Sequence, residues 1–214
     1  MPSFESLLLG ALLVALAAGS LLLWSGLRRS GASPAVQELE RGHFAAALAA
    51  ARTAGPRPER DELYTAAVAA KHLLELDRAR ELLDRLLATD PGDGEAWLEK
   101  GLVTAYAGDP AAAEEAFARA AAHRSDLAES LTLHRAWLAL RRGDPAASRR
   151  LFDEVETPLE TKLRTDLGEG EPLFAEWFLQ AAALWEAAGD SARAAWARSA
   201  GRAAAPESRL WKTL

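Results

Sequence analysis

Chemistry requires particular side chains at particular spacings, and histidine is the first place to look. His43, His72, His123 and His134 are the four in the chain, and they lie far apart with no His-Glu-x-x-His run. There is no cysteine, which removes a thiol nucleophile, a disulfide framework and a thiolate metal site. Gly168-Glu169-Gly170 lacks the third glycine, the lysine and the preceding strand of a phosphate-binding loop. Carboxylate pairs such as Glu114-Glu115 sit among charges of both signs, as on a solvated helix surface. Acid–base catalysis would need a carboxyl group in a dry pocket with a partner, and the sequence marks out none. We expect no catalytic residue, no metal site and no cofactor.

The elements that carry these residues are helices. Ala, Leu, Glu and Arg dominate, β-branched residues are sparse and alternating strand patterns are absent. The formal net charge of −6 is spread over interspersed acidic and basic residues, which leaves no basic footprint for nucleic acid. The chain organises around one repeated turn. Ala107-Gly108-Asp109-Pro110, Arg142-Gly143-Asp144-Pro145 and Ala188-Gly189-Asp190-Ser191 are its clear copies, each followed by small residues. Weaker copies are Arg41-Gly42-His43-Phe44 and Leu73-Leu74-Glu75-Leu76. In the clear copies glycine ends one helix and aspartate caps the next. Turns recurring at about 34-residue intervals predict stacked helical hairpins.

Ala96 to Asp126 resembles the tetratricopeptide repeat, with Trp97, Gly101, Tyr106, Ala113, Phe117 and Ala120 at or beside that family's signature positions. Ser125 stands where the family usually has proline. The preceding copy places Leu63, Ala67, Ala79, Leu83, Leu86 and Pro91 equivalently, and the following one Ala136, Ala139, Ser148, Phe152 and Val155. The final copy has Phe178, Ala182, Trp185, Ala194 and Pro206, and a truncated first hairpin surrounds Gly42 and Ala47. The resemblance implies an all-α, right-handed α-solenoid of about four to five helical hairpins. We divide the chain into a transmembrane anchor over 1–30, a truncated hairpin over 31–60 and three hairpins over 61–158. A loop insertion over 159–172 follows, beginning as a short helix around Leu159 to Leu167, and then a last hairpin with a C-terminal cap over 173–214. Trp211 and Leu214 are the expected plugs of that cap.

The anchor is read from the residues themselves. Leu7 to Leu27 carries no charge, is long enough to span a bilayer, ends near Trp24 and is followed by Arg28 and Arg29. The region before it has no Lys or Arg, which disfavours a cleaved signal peptide. The two arginines place the repeats in the cytoplasm, on the inner side of the cell membrane. Ala11, Ala15 and Gly19, four residues apart, form a stripe of small residues through which two anchors could pair into a homodimer.

What the resemblance implies for binding is a concave face lined by the first helix of each hairpin. In register, the positions facing a partner are Tyr64, Lys71 and His72, then Glu95, Glu99 and Tyr106, then His134, Trp137 and Arg141, and Gln180 in the last hairpin. Trp97, Trp177, Trp185 and Trp196 read as packing residues, and Trp137 as the exception that meets a partner. The expected function is a non-catalytic membrane-tethered scaffold holding a protein or peptide in that groove. The alternative is an envelope assembly factor with its repeats outside the membrane, similar to those of cytochrome c maturation.

Overall fold

The computed structural model describes residues 33–52, 59–165 and 172–213. The anchor expected over 1–30, with Ala11, Ala15 and Gly19, lies outside the described residues. Among those described, no helix is long and apolar enough to cross a membrane.

Ten α-helices and three short 3-10 turns account for the described elements. The helices are α1 (Pro34–Glu40), α2 (Phe44–Arg52), α3 (Arg60–His72), α4 (Leu76–Thr89) and α5 (Gly94–Tyr106). They continue as α6 (Pro110–His123), α7 (Ala128–Arg141), α8 (Pro145–Thr165), α9 (Ala175–Ala187) and α10 (Ser191–Ala204). Short turns fold each even-numbered helix back onto its predecessor, giving five hairpins in the described chain.

The repeated turn works as its residues predict. Gly42, Gly108, Gly143 and Gly189 take φ of 77°, 89°, 77° and 83°, the left-handed region where a Cβ is penalised. Leu74 occupies the same place in the second hairpin at φ 59°, the one non-glycine residue with positive φ among those described. Asp109, Asp144 and Asp190 accept hydrogen bonds from the N–H groups of Ala112, Ala147 and Arg193 at 3.0, 2.9 and 2.9 Å. Those bonds satisfy donors that a helix start otherwise leaves orphaned.

Within the hairpins, small residues let large ones in. A Cβ on Gly101 would lie 2.4 Å from the ring of Phe117, so only glycine admits the fully buried phenylalanine there. Ala113 and Ala120 flank that ring on α6, both fully buried. Trp97 sits between neighbouring hairpins, packed against apolar side chains on both sides and covered by Arg119.

Three features differ from expectation. The short helix expected around Leu159 is continuous with α8, which runs unbroken from Pro145 to Thr165, past Pro158. Phe152, Val155, Leu159 and Leu163 form one buried stripe that holds this length of helix onto the array, while Pro158 sits on the exposed face. There the carbonyl left without the bond that proline cannot donate faces solvent. The C-terminal segment is more than an end plug, for Leu210 is buried and the 3-10 turn Arg209–Thr213 touches both α9 and α3. Its Trp211 ring lies over Gly201, where a Cβ would meet the ring at 2.4 Å. Leu214 lies outside the described residues.

The largest departure is closure of the array on itself. Ala175 and Ala205, on either side of the last hairpin, belong to the same apolar cluster as Leu39, Phe44 and Leu63 of the first two. A Cβ on Gly42 would lie 2.9 Å from Pro172. The inner face of the stacked hairpins is therefore covered where the first and last described hairpins meet.

The packing makes Ala113→Leu a direct test of the register. Overfilling the α5–α6 contact should cost about 1–3 kcal/mol in urea unfolding of the purified chain. A midpoint near that of the parent would show that Ala113 is not at a close helix contact.

Candidate functional site

The odd-numbered helices α3, α5, α7 and α9 lie innermost, and α3 is buried over most of its length. Among their mostly apolar buried side chains lies a cluster of polar ones. At the centre is Lys71, 1% exposed, its Nζ 2.5 Å from Glu176 Oε2 and 2.7 Å from Glu99 Oε2. This joins helices of the second, third and last hairpins around one charge.

Two imidazoles flank it. His72 stacks flat on Phe44, ring centroids 4.1 Å apart, with Nδ1 3.0 Å from Ser208 Oγ. His134 lies between Gln180, whose Oε1 is 2.7 Å from Nδ1, and Ser130, whose Oγ is 3.0 Å from Nε2. In the neutral tautomer this requires, Nδ1 donates to the amide oxygen and the Ser130 hydroxyl donates to Nε2. Tyr106 and Trp137 pack ring against ring at 4.9 Å beside the cluster.

The electrostatics follow from burial set against a single cation. Burial alone would lower the Lys71 pKa, but Glu176 and Glu99 outweigh it and hold the ammonium above its ordinary range. Burial raises Glu176, yet the positive field of Lys71 and its hydrogen bond leave the pKa below that of a free carboxyl. Glu99 goes the other way: burial raises its pKa, and Lys71 only partly offsets that. One cation thus serves two carboxylates, and Glu176 is the one it keeps ionised. His72 is pushed down to about 3 by burial and then by Lys71, and His134 is lowered by burial.

The register brought together the residues it named, but in an interior. Lys71, His72, Glu99, Tyr106, His134 and Trp137 converge, and every one is buried. They do not line an open groove in this arrangement, because the last hairpin covers them. Trp137, 3% exposed, packs against Tyr106 in the interior. Tyr64 is half-buried beneath the Arg60 guanidinium, and Arg141 is exposed, lying over the Trp137 ring at 5.0 Å. Glu176, Ser130 and Ser208 were missed. Glu176 was within reach, since it stands to Phe178 as the groove position Glu95 stands to Trp97. Ser208 carried no signal, because it follows the last repeat.

Among the described residues no group of histidines and carboxylates could hold a metal ion. A surface depression lined by Arg149, Glu156, Asp190 and Arg193 lies at the α9–α10 turn, away from the polar cluster.

Solved structures resemble this fold. A tetratricopeptide repeat protein from Parabacteroides merdae superposes with a TM-score of 0.55 at 21% identity, covering 85% of this chain and 72% of its own. MamA aligns over 78% of this chain and 91% of its own, at 16% identity and a TM-score of 0.46. No protein-family model and no curated protein matches the chain. The hairpin architecture and the first of these likenesses make the fold that of a tetratricopeptide-type helical repeat.

Removing the shared cation should be severe. Lys71→Met leaves Glu176 charged and buried without a partner, and should destabilise the chain by about 3–5 kcal/mol in urea. Adding Glu99→Gln and Glu176→Gln to that variant should recover much of the loss. An unchanged midpoint in the single variant would contradict the buried tie.

Acid provides a second test, with a definite sign. Below the ordinary imidazole pKa of about 6.5, the unfolded chain takes up protons that the buried, pKa-lowered His72 and His134 refuse. Stability should therefore fall as pH drops, by up to about 1.4 kcal/mol per pH unit for each imidazole. Glu99, with its raised pKa, acts in the opposite sense, since its folded state binds a proton first. Comparison with His72→Asn and His134→Asn, which keep Glu99, isolates the histidines. Each should flatten the dependence of urea midpoint on pH between about 5 and 6.5, and parallel slopes would contradict the assignment.

Proposed function

We propose that this chain is a non-catalytic scaffold, tethered to the cell membrane by its N-terminal helix, that holds a partner protein on its cytoplasmic repeats. The observation that carries the reading is the repeat architecture with its inner side chains gathered on α3, α5, α7 and α9. Tethering is supported by the uncharged run from Leu7 to Leu27, and cytoplasmic placement by Arg28 and Arg29 beyond it.

The binding residues are those of the inner face: Tyr64, Lys71, His72, Glu99, Tyr106, His134, Trp137 and Arg141. Tyr64 and Arg141 are reached first, because they alone of the eight are not buried in the closed arrangement. The others offer aromatic rings and paired charges of the kind that anchor a peptide segment.

A photo-crosslinking residue at Arg141 in the native membrane tests the reading against one at exposed Glu81 on α4. A discrete partner captured from position 141 and not from 81 is the expected result. Capture from 81 alone would place binding on another surface. A phosphatase fused after Leu214 checks orientation, and activity there, which requires export, would overturn the cytoplasmic assignment.

A further inference from the structure

We propose that the join between α3 and the last hairpin is a latch, opening and closing while the five hairpins stay folded. Its consequence, control over access to the inner face, rests on the scaffold reading above. The latch itself does not.

The join differs in kind from the contacts inside a hairpin. Within hairpins, Leu83, Leu86, Phe117, Phe152 and Trp185 interlock as large, fully buried apolar side chains. Across the join, the apolar part is limited to Pro172, Leu173, Ala175, Ala205 and Trp211 against the first two hairpins, with Leu173 and Trp211 only partly buried. Its remainder is polar, namely Lys71 with Glu176, His72 with Ser208, and Arg209 donating to the Leu73 carbonyl oxygen at 3.4 Å. Apolar burial stabilises in proportion to area, so this seam holds less firmly than the hairpins it joins.

Closure also strands a polar atom: His72 Nε2 is buried at the join with no hydrogen-bond partner. Water reaching it on opening restores what closure denies it, which offsets part of the lost Lys71–Glu176 contact. Each side of the join remains a complete hairpin, α3 with α4 and α9 with α10, so parting it exposes no hairpin interior. Repeat arrays permit such sub-global opening because their stability is a sum over neighbours.

The absence of cysteine makes the test clean. Single cysteines are placed at the join, as Ser208→Cys and Ala175→Cys, and inside the fourth hairpin, as Ser148→Cys. All three positions are buried. Ala175→Cys leaves both polar ties in place, so its labelling does not depend on losing the Ser208 hydroxyl. In the otherwise unaltered full chain, a thiol reagent should label the two join cysteines at least tenfold faster than Ser148→Cys. Their rates should be nearly flat at low urea, whereas the Ser148→Cys rate should climb with urea as global unfolding does. Adding Glu176→Gln should raise labelling at Ala175→Cys tenfold or more and leave Ser148→Cys unchanged. Equal rates with one common urea dependence would overturn the latch, as would a uniform acceleration of all sites by Glu176→Gln. The scaffold reading fails separately: selective labelling at the join, with crosslinking from position 141 unaffected by Glu176→Gln, keeps the latch and removes its role in binding.

Discussion

One ammonium group decides whether this chain is an open array or a closed one. Lys71 Nζ reaches Glu99 from one neighbouring hairpin and Glu176 from the far end of the array. Each of these ions loses its hydration, at an effective cost of several kcal/mol apiece, and only mutual contact makes that tolerable. With the three groups in place, α3, α5 and α9 are drawn together; with Lys71 removed, Glu176 becomes an uncompensated charge in an apolar surround.

The residues around that tie make sense as its consequences. His72 and His134 sit close to a fixed cation and away from water, so both remain neutral. Their ring nitrogens are then matched to hydroxyl and amide partners in Ser208, Ser130 and Gln180 rather than to carboxylates. A buried polar network of this kind is a weak source of stability but a selective one, since few alternative packings satisfy its partners. The same arrangement that makes closure specific also makes it shallow, because the larger apolar side chains at the join, Leu173 and Trp211, are only partly buried.

Local structure was legible from the sequence because its causes are local. Gly108 and Asp109, or Gly143 and Asp144, end and begin helices through their own backbone and side-chain bonding, and both turns form as read. The close approach at Gly101 and Ala113 was legible for the same reason: adjacent helices joined by a short turn must touch. Register also identified Lys71, Glu99 and His134 as inward-facing. What it could not supply was curvature. Whether inward-facing residues line a groove or fill an interior depends on small rotations summed over five hairpins, and no single residue reports that sum. The tie from Lys71 to Glu176 spans the array and leaves no spacing signal. At α8 the difference is local: the short helix around Leu159 was read as separate from the preceding hairpin, whereas the exposed Pro158 leaves the buried stripe from Phe152 to Leu163 continuous.

Closure of the inner face between the first two hairpins and the last is the central claim, and a distance across the join measures it most directly. Because the chain has no cysteine, spin labels can be placed on exposed Glu75 and Glu207 alone. Dipolar spectroscopy on the full chain should then return one short, narrow separation as the main population. A broad distribution centred at long separations in the unaltered chain would mean that the array stands open and that the Lys71–Glu176 tie does not hold it.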